Sequence, residues 1–194
     1  MILFINACVR ENSRTKCLAD HLLGLLQEDK DGIKELRLDE IRFPCADQAF
    51  LNHRDELIRA GRFDDPLFAL ARQFAAADTI VIAAPFWDFS FPAMLKQYFE
   101  QINVTGITFE YRNDRPYSLC RAGKLYYVTT AGGPIYSDEY GFGYVKGLSQ
   151  SFYGIQEVHC FKAENLDIAG ADVDGILEKT KKEMDERFSG SRQR

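Results

Sequence analysis

Short apolar runs separated by helix-period segments constrain this chain more than any other feature. Met1-Ile-Leu-Phe-Ile-Asn6, Thr79-Ile-Val-Ile-Ala-Ala84 and Lys124-Leu-Tyr-Tyr-Val-Thr-Thr130 are each too short for a core helix. They are also too continuously apolar for strands with one wet face, and so fit strands covered on both sides. Leu18, Leu22, Leu25 and Leu26 recur at helical spacing between the first run and the next. Ile33 to Leu38 alternates apolar and charged residues, as a strand nearer the sheet edge does, and Ile155 to Phe161 supplies a fifth strand. Helices are expected around Asn52–Ala60, Leu67–Ala77, Ala93–Ile102, Gly143–Phe152 and Val173–Phe188, with Thr108 to Leu119 as an irregular or hairpin excursion. Strands alternating with helices predict an α/β fold, a parallel sheet with helices on both faces.

A chain of 194 residues buries roughly 70% of its unfolded surface without a disulfide or metal. We expect one domain over residues 1–188 and a polar, frayed tail over 189–194. The net charge of -5 and the pI near 5.3 argue against a nucleic-acid partner and against an anionic membrane surface. The five cysteines have no C-x-x-C spacing and the three histidines are scattered, so no zinc or dithiol pattern is present. The chain opens on a strand without a leader-like segment, and no apolar run reaches the roughly 20 residues of a membrane span. A cytoplasmic location is expected.

Ligands of open parallel sheets bind beyond the carboxyl ends of the strands, where strand order reverses. Three loops there have unusual composition. Ala7-Cys8-Val9-Arg10-Glu11-Asn12-Ser13-Arg14-Thr15 leads from a strand into a helix N-terminus, whose free amides and positive end suit a phosphate. Ser13 and Thr15 add hydroxyls, and Arg10 and Arg14 add charge. A plainer reading makes Asn12 or Ser13 a helix cap. The loop has no glycine, hence neither G-x-G-x-x-G nor a Walker pattern, and a terminal monophosphate fits better than a dinucleotide. Pro85-Phe-Trp-Asp-Phe-Ser-Phe-Pro92 carries four aromatics, including the one Trp of the chain. A flat ring would cover Phe86 and Trp87, while Phe89 or Phe91 could instead fill core. Thr130-Ala-Gly-Gly133 ends the fourth strand with two glycines that permit close backbone approach.

These residues resemble a known family. Pro85-Phe-Trp-Asp-Phe-Ser-Phe-Pro-Ala-Met-Leu-Lys96 is similar to the P-x-x-N-F-x-x-P-x-x-L-K stretch of FMN-dependent NADH:azoreductases and related quinone reductases. Gly106-Ile-Thr-Phe-Glu-Tyr111 resembles their G-x-T-F-x-Y segment, Thr130 to Gly133 their S-x-G-G loop, and Asn12 to Thr15 their phosphate loop. The resemblance runs to about residue 165. It implies a flavodoxin-like fold with strand order 2-1-3-4-5, bound FMN, and a homodimer with active sites at the interface. It implies that Ser13, Arg14 and Thr15 hold the phosphate with Cys8 and Arg10 nearby. Pro85, Phe86, Trp87, Asp88 and Phe89 would line the flavin, and Thr130, Ala131, Gly132 and Gly133 its other edge. NADH or NADPH would supply electrons to a quinone or azo compound in ping-pong order. Hydride would pass through flavin N5, so no catalytic side chain is expected.

Three departures stand out. The family's Asn is Asp88, which when ionised only accepts hydrogen bonds. Cys8 stands where Ser is common. Arg112-Asn-Asp-Arg-Pro-Tyr-Ser118 lacks the family's Gly-Pro-rich pattern. Two other functions remain open on the sequence: a reductase of the same fold acting on free FMN, iron or chromate, and a one-electron carrier. Tyr111 and Tyr117 could assist a proton transfer but suit structural or stacking roles better.

Overall fold

The computed structural model describes residues 1–26 and 32–189. All but one residue of the expected 189–194 tail lie outside the described residues. Five parallel strands form the central sheet: β1 (Ile2–Asn6), β2 (Ile33–Arg37), β3 (Thr79–Ala83), β6 (Lys124–Thr130) and β7 (Glu157–Ala163). Two short strands, β4 (Phe109–Arg112) and β5 (Arg115–Ser118), pair antiparallel outside it. The sheet order is β2-β1-β3-β6-β7. With the excursion left out of the count this is the expected 2-1-3-4-5, and the Thr108–Leu119 segment is a hairpin. Its turn residues Asn113 and Asp114 have φ of 51° and 59°, as a two-residue hairpin turn requires.

The helices are α1 (Arg14–Leu26), α2 (Gln48–Arg59), α3 (Ala69–Ala76), α4 (Ala93–Ile102), α5 (Phe142–Ser151) and α6 (Val173–Ser189). Side chains of a strand alternate between faces, and the two faces of this sheet feed two separate cores. Leu3, Ile5, Ile80, Ile82, Leu125 and Tyr127 pack with residues of α2 to α5, Phe74, Tyr98 and Phe99 among them. Phe4, Val81, Ala83, Tyr126 and Val128 pack with Leu18 and Leu22 of α1 and Met184 of α6. Burial of β1, β3 and β6 on both sides is why these runs read as uninterrupted apolar sequence. On β2, Lys34, Glu35 and Arg37 are exposed, as suits an edge strand.

Several boundaries differ from expectation: α2 starts at Gln48 rather than Asn52 and β7 runs on to Ala163, and two differences have a visible cause. The fifth strand begins at Glu157, not Ile155. Gly154 sits at φ +67° and the Ile155 amide donates to the Ser149 carbonyl, so Ile155 closes the end of α5 while its side chain joins the core. The stretch expected as one helix over Leu67–Ala77 starts instead with a tight turn at Pro66–Phe68. Asp65 caps that turn by accepting from the Leu67 amide, and α3 follows.

Candidate functional site

β1, β3 and β6 end side by side, and the three loops that follow them meet. The turn out of β1 is built from inside. Asn6 accepts from the Cys8 amide through Oδ1 at 2.9 Å and donates through Nδ2 to Glu35 Oε1 at 2.8 Å. Cys8 is buried and its thiol lies 3.7 Å from the Ala83 carbonyl. Burial pushes that thiol above its ordinary pKa, so it is a neutral packing group. Ser13 caps α1: its Oγ accepts from the Lys16 amide at 3.2 Å. The hydroxyl hydrogen of Ser13 stays available, because a hydroxyl accepts and donates at once. Among the described residues, the amides of Val9 to Asn12 make no hydrogen bond to a protein group. With the positive end of α1 behind them, these donors have the chemistry that suits an anion.

The second loop turns sharply. Trp87 and Ser90 exchange backbone hydrogen bonds at 3.1 and 2.7 Å. The two residues between them, Asp88 and Phe89, have φ of 49° and 66°, the backbone of a type I′ turn. That turn normally selects Asn-Gly, and a left-handed Phe is costly. The loop is tied to the third by the Phe86 amide, which donates to the Thr130 carbonyl at 2.9 Å. The first and third are joined by a buried contact of 2.6 Å between Thr15 Oγ1 and Thr130 Oγ1.

A fourth segment completes the wall. After β7 the chain folds back along the third loop: Asn165 donates to the Gly133 carbonyl at 3.2 Å, Leu166 to Ala131 at 3.2 Å, and Asp167 to Gly132 at 2.9 Å. The Asp167 side chain then lies where a Cβ on residue 132 would sit, so a larger residue there would have to displace that carboxylate. Asp167 Oδ1 accepts from Arg14 Nη1 at 2.8 Å, and the Leu166 carbonyl accepts from the same nitrogen at 3.4 Å.

Together these segments enclose a pocket of about 440 Å³, within the size range of ligand sites. Cys8, Arg10, Ser13, Arg14, Thr15, Pro85, Phe86, Trp87, Thr130, Ala131 and Gly132 line it, as expected from sequence. Asp88, Phe89 and Gly133 do not. Asp88 and Phe89 occupy the exposed tip of the turn, and the Gly133 carbonyl is spent on Asn165. Of the two rings that could have been core, Phe91 is: it packs on Phe99 and Tyr144. Phe89 is 57% exposed. Tyr111 and Tyr117 lie on the hairpin away from the pocket lining, with the Arg112 guanidinium 3.5 Å from the Tyr117 ring centre.

Val9, Leu166 and Asp167 also line the pocket and were not singled out from sequence, and Asn12, read there as a cap candidate and as the start of the family-like loop, lines it too. Val9 and Asn12 follow from their place in the first loop. Leu166 and Asp167 arrive through the backbone ladder after β7, which no composition signal marks. Among the described residues, no group of three or more His, Cys, Asp or Glu could hold a metal.

The sequence matches the Flavodoxin_2 family, a flavodoxin-like fold, over residues 1–188. It is 34% identical over 190 residues, 93% of each chain, to an FMN-dependent NADH:quinone oxidoreductase of Lachnoclostridium phytofermentans. It is 43% identical over 122 residues to FMN-dependent NADH:quinone oxidoreductase 2 of Clostridium acetobutylicum. That alignment spans 60% of each chain. In fold it is similar to an FMN-dependent NADH-azoreductase from Bacillus anthracis str. Ames Ancestor in complex with FMN. The TM-score is 0.79, with 24% identity and 97% of both chains covered.

Proposed function

The chain belongs to the flavodoxin-like fold family, and from that premise we propose that it is an FMN-dependent NADH:quinone oxidoreductase that also accepts aromatic azo compounds. The observation that carries the reading is one pocket with two chemically different ends. One end offers unpaired loop amides, Ser13 and arginine. The other offers the flat faces of Phe86 and Trp87 beside the Gly132 backbone. A phosphate and an aromatic ring at fixed separation match that pair, so the residues present fit FMN.

When bound, FMN supplies the two-electron exchange between a nicotinamide and the acceptor. The rest is the work of the chain. The α1 terminus and the loop before it hold the phosphate, and their charge complements its charge. Thr15 and Thr130 bind the first loop to the third, which fixes the distance between the two ends. Phe86 and Trp87 provide a surface on which planar molecules stack and from which water is excluded. Nicotinamide and acceptor occupy this aromatic mouth in turn, which gives ping-pong kinetics, and NADPH can replace NADH. Protons reach the acceptor from water at the open mouth.

A homodimer is part of the reading. Trp87 and Phe89 of the second loop are exposed, as is Tyr140, whose carbonyl accepts from Ser90 Oγ of that loop, and neighbouring exposed aromatics suit an interface. A second copy would cover them and deepen the mouth. A cytoplasmic location is part of the same proposal. No helix among the described residues is long and apolar enough to cross a membrane.

The test is an absorbance spectrum of the purified protein, recorded before and after anaerobic addition of NADH. A yellow protein that bleaches with NADH and recovers its colour on addition of a benzoquinone is expected. A colourless protein that takes up no added FMN would overturn the proposal. Trp87 gives a second readout, since its emission is expected to fall as FMN binds.

A further inference from the structure

Two arginines reach the phosphate end of the pocket, and the structure treats them differently. Arg10 lines the pocket and, among the described residues, makes no hydrogen bond or ion pair. Arg14 lines it too, but its Nη1 is engaged twice, by Asp167 Oδ1 at 2.8 Å and by the Leu166 carbonyl at 3.4 Å. Both partners belong to the segment that folds back after β7. That segment is held against the third loop by three backbone hydrogen bonds, from Asn165, Leu166 and Asp167. The Asp167 side chain lies against Gly132. The backbone of Asp167 is thus held, and its carboxylate meets the guanidinium of Arg14.

We infer that Arg14 is a positioning residue that ties the first loop to the Leu166–Asp167 segment, and that the charge of a bound phosphate falls to Arg10 and the loop amides. The inference rests on the FMN reading of the pocket and divides labour within it. The Nη1 of Arg14 is spent on Asp167 and Leu166, and a phosphate placed against its remaining N–H groups would face the Asp167 carboxylate as well. Arg10 has no such partner and its planar fork is free. The pair itself is exposed, with Arg14 at 42% and Asp167 at 71%, and exposed pairs are weak. Its value is geometric: it bridges segments 153 residues apart and closes one side of the pocket.

FMN and riboflavin differ only in the phosphate, so the ratio of their affinities isolates the phosphate contact. Flavin fluorescence quenching at moderate salt, which screens distant charges, gives Kd for both ligands. R10Q is expected to lower the preference for FMN over riboflavin by about tenfold or more, the loss of one charge-assisted hydrogen bond. R14Q and D167N are each expected to weaken FMN and riboflavin by the same factor, roughly two- to fivefold, and to leave the ratio unchanged. The double variant R14Q/D167N should lose no more than either single one, because both remove the same tie. R14K, which keeps an ion pair with Asp167, should recover the affinity for both ligands. That rescue separates a tie from a mere disturbance of the fold.

A fall in the FMN-to-riboflavin ratio in R14Q, or an unchanged ratio in R10Q, would overturn the inference. So would unchanged affinity for both ligands in R14Q, or additive losses in the double variant. A parent protein that binds neither flavin would refute the FMN reading and this inference with it, whereas a parent that binds FMN while R14Q loses its preference refutes this inference alone.

Discussion

At the scale of single residues, the two positions Asp88 and Phe89 are held in a left-handed backbone that neither prefers. The cost is about 1 kcal/mol or more for Phe. Replacing Phe89 by Gly relieves it, though the freer unfolded chain takes back a similar amount. The ring is mostly exposed, so little burial is lost. Urea denaturation of F89G should give a stability within about 0.5 kcal/mol of the parent, the balance of those two terms. F91A, two residues on, should lose roughly 2–3 kcal/mol, somewhat less than a fully buried ring would. The cysteines divide as sharply. Cys17 and Cys45 are exposed, Cys8 is buried, and Cys120 and Cys160 are partly buried. Burial pushes the Cys120 and Cys160 thiols up to about 12, so neither forms the reactive thiolate near neutral pH. A native titration with a chromogenic disulfide should modify Cys17 and Cys45 rapidly and the other three only on unfolding. The first and second loops of the pocket were legible from residue type alone, because clustered hydroxyls, arginines and aromatics after a strand are unusual. The turn at Asp88–Phe89 was not legible, because its sequence lacks the Asn-Gly signal and the surrounding backbone imposes the shape.

At the scale of elements, β1, β3 and β6 were readable because burial on both faces leaves few polar positions, most of them at the strand ends. β2 and β7 lie at the sheet edges and carry charge, which blurs their limits, and the β7 boundary moved with the turn at Gly154. Asp167 escaped notice because its place depends on a hydrogen-bond ladder between two loops, which single-residue patterns do not encode. The edge strand β7 also meets α6 through His159. Its ring nitrogens lie 2.6 and 3.1 Å from Arg187 Nη2, with the Tyr126 ring tilted against it and with Lys124 and Glu157 nearby. Burial first, then the Arg187 and Lys124 cations, push the imidazole pKa down, against the pull of Glu157. A folded pKa below the unfolded one means that the unfolded chain takes up the proton first. Stability is then fully present above the ordinary histidine value of about 6.5 and declines as pH falls through and below it. H159Q removes that term. Urea midpoints measured from pH 7 to pH 5 should fall less steeply in H159Q than in the parent.

At the scale of the whole molecule, the two cores on opposite faces of one sheet make a rigid base, and the pocket sits on loops at one end of it. The interior is not uniformly satisfied. Tyr98 is fully buried, and its hydroxyl has no partner among the described residues. Y98F should therefore be neutral or raise stability by up to ~1 kcal/mol in thermal or urea unfolding, since it removes an unpaired polar atom at no change of shape. Ligand linkage acts on the molecule as a unit: FMN at a hundredfold excess over its Kd should stabilise the protein by about 2.7 kcal/mol, read as a rise in melting temperature. The link between Arg14 and Asp167 has a further consequence for how such a molecule is made. The first wall of the pocket leaves the ribosome before β2 and the last only after β7. A nascent chain that already displays the first loop still lacks one side of the container. Cofactor loading at full affinity is thereby deferred until residue 167 has followed, and a chain stopped before it would hold FMN less tightly.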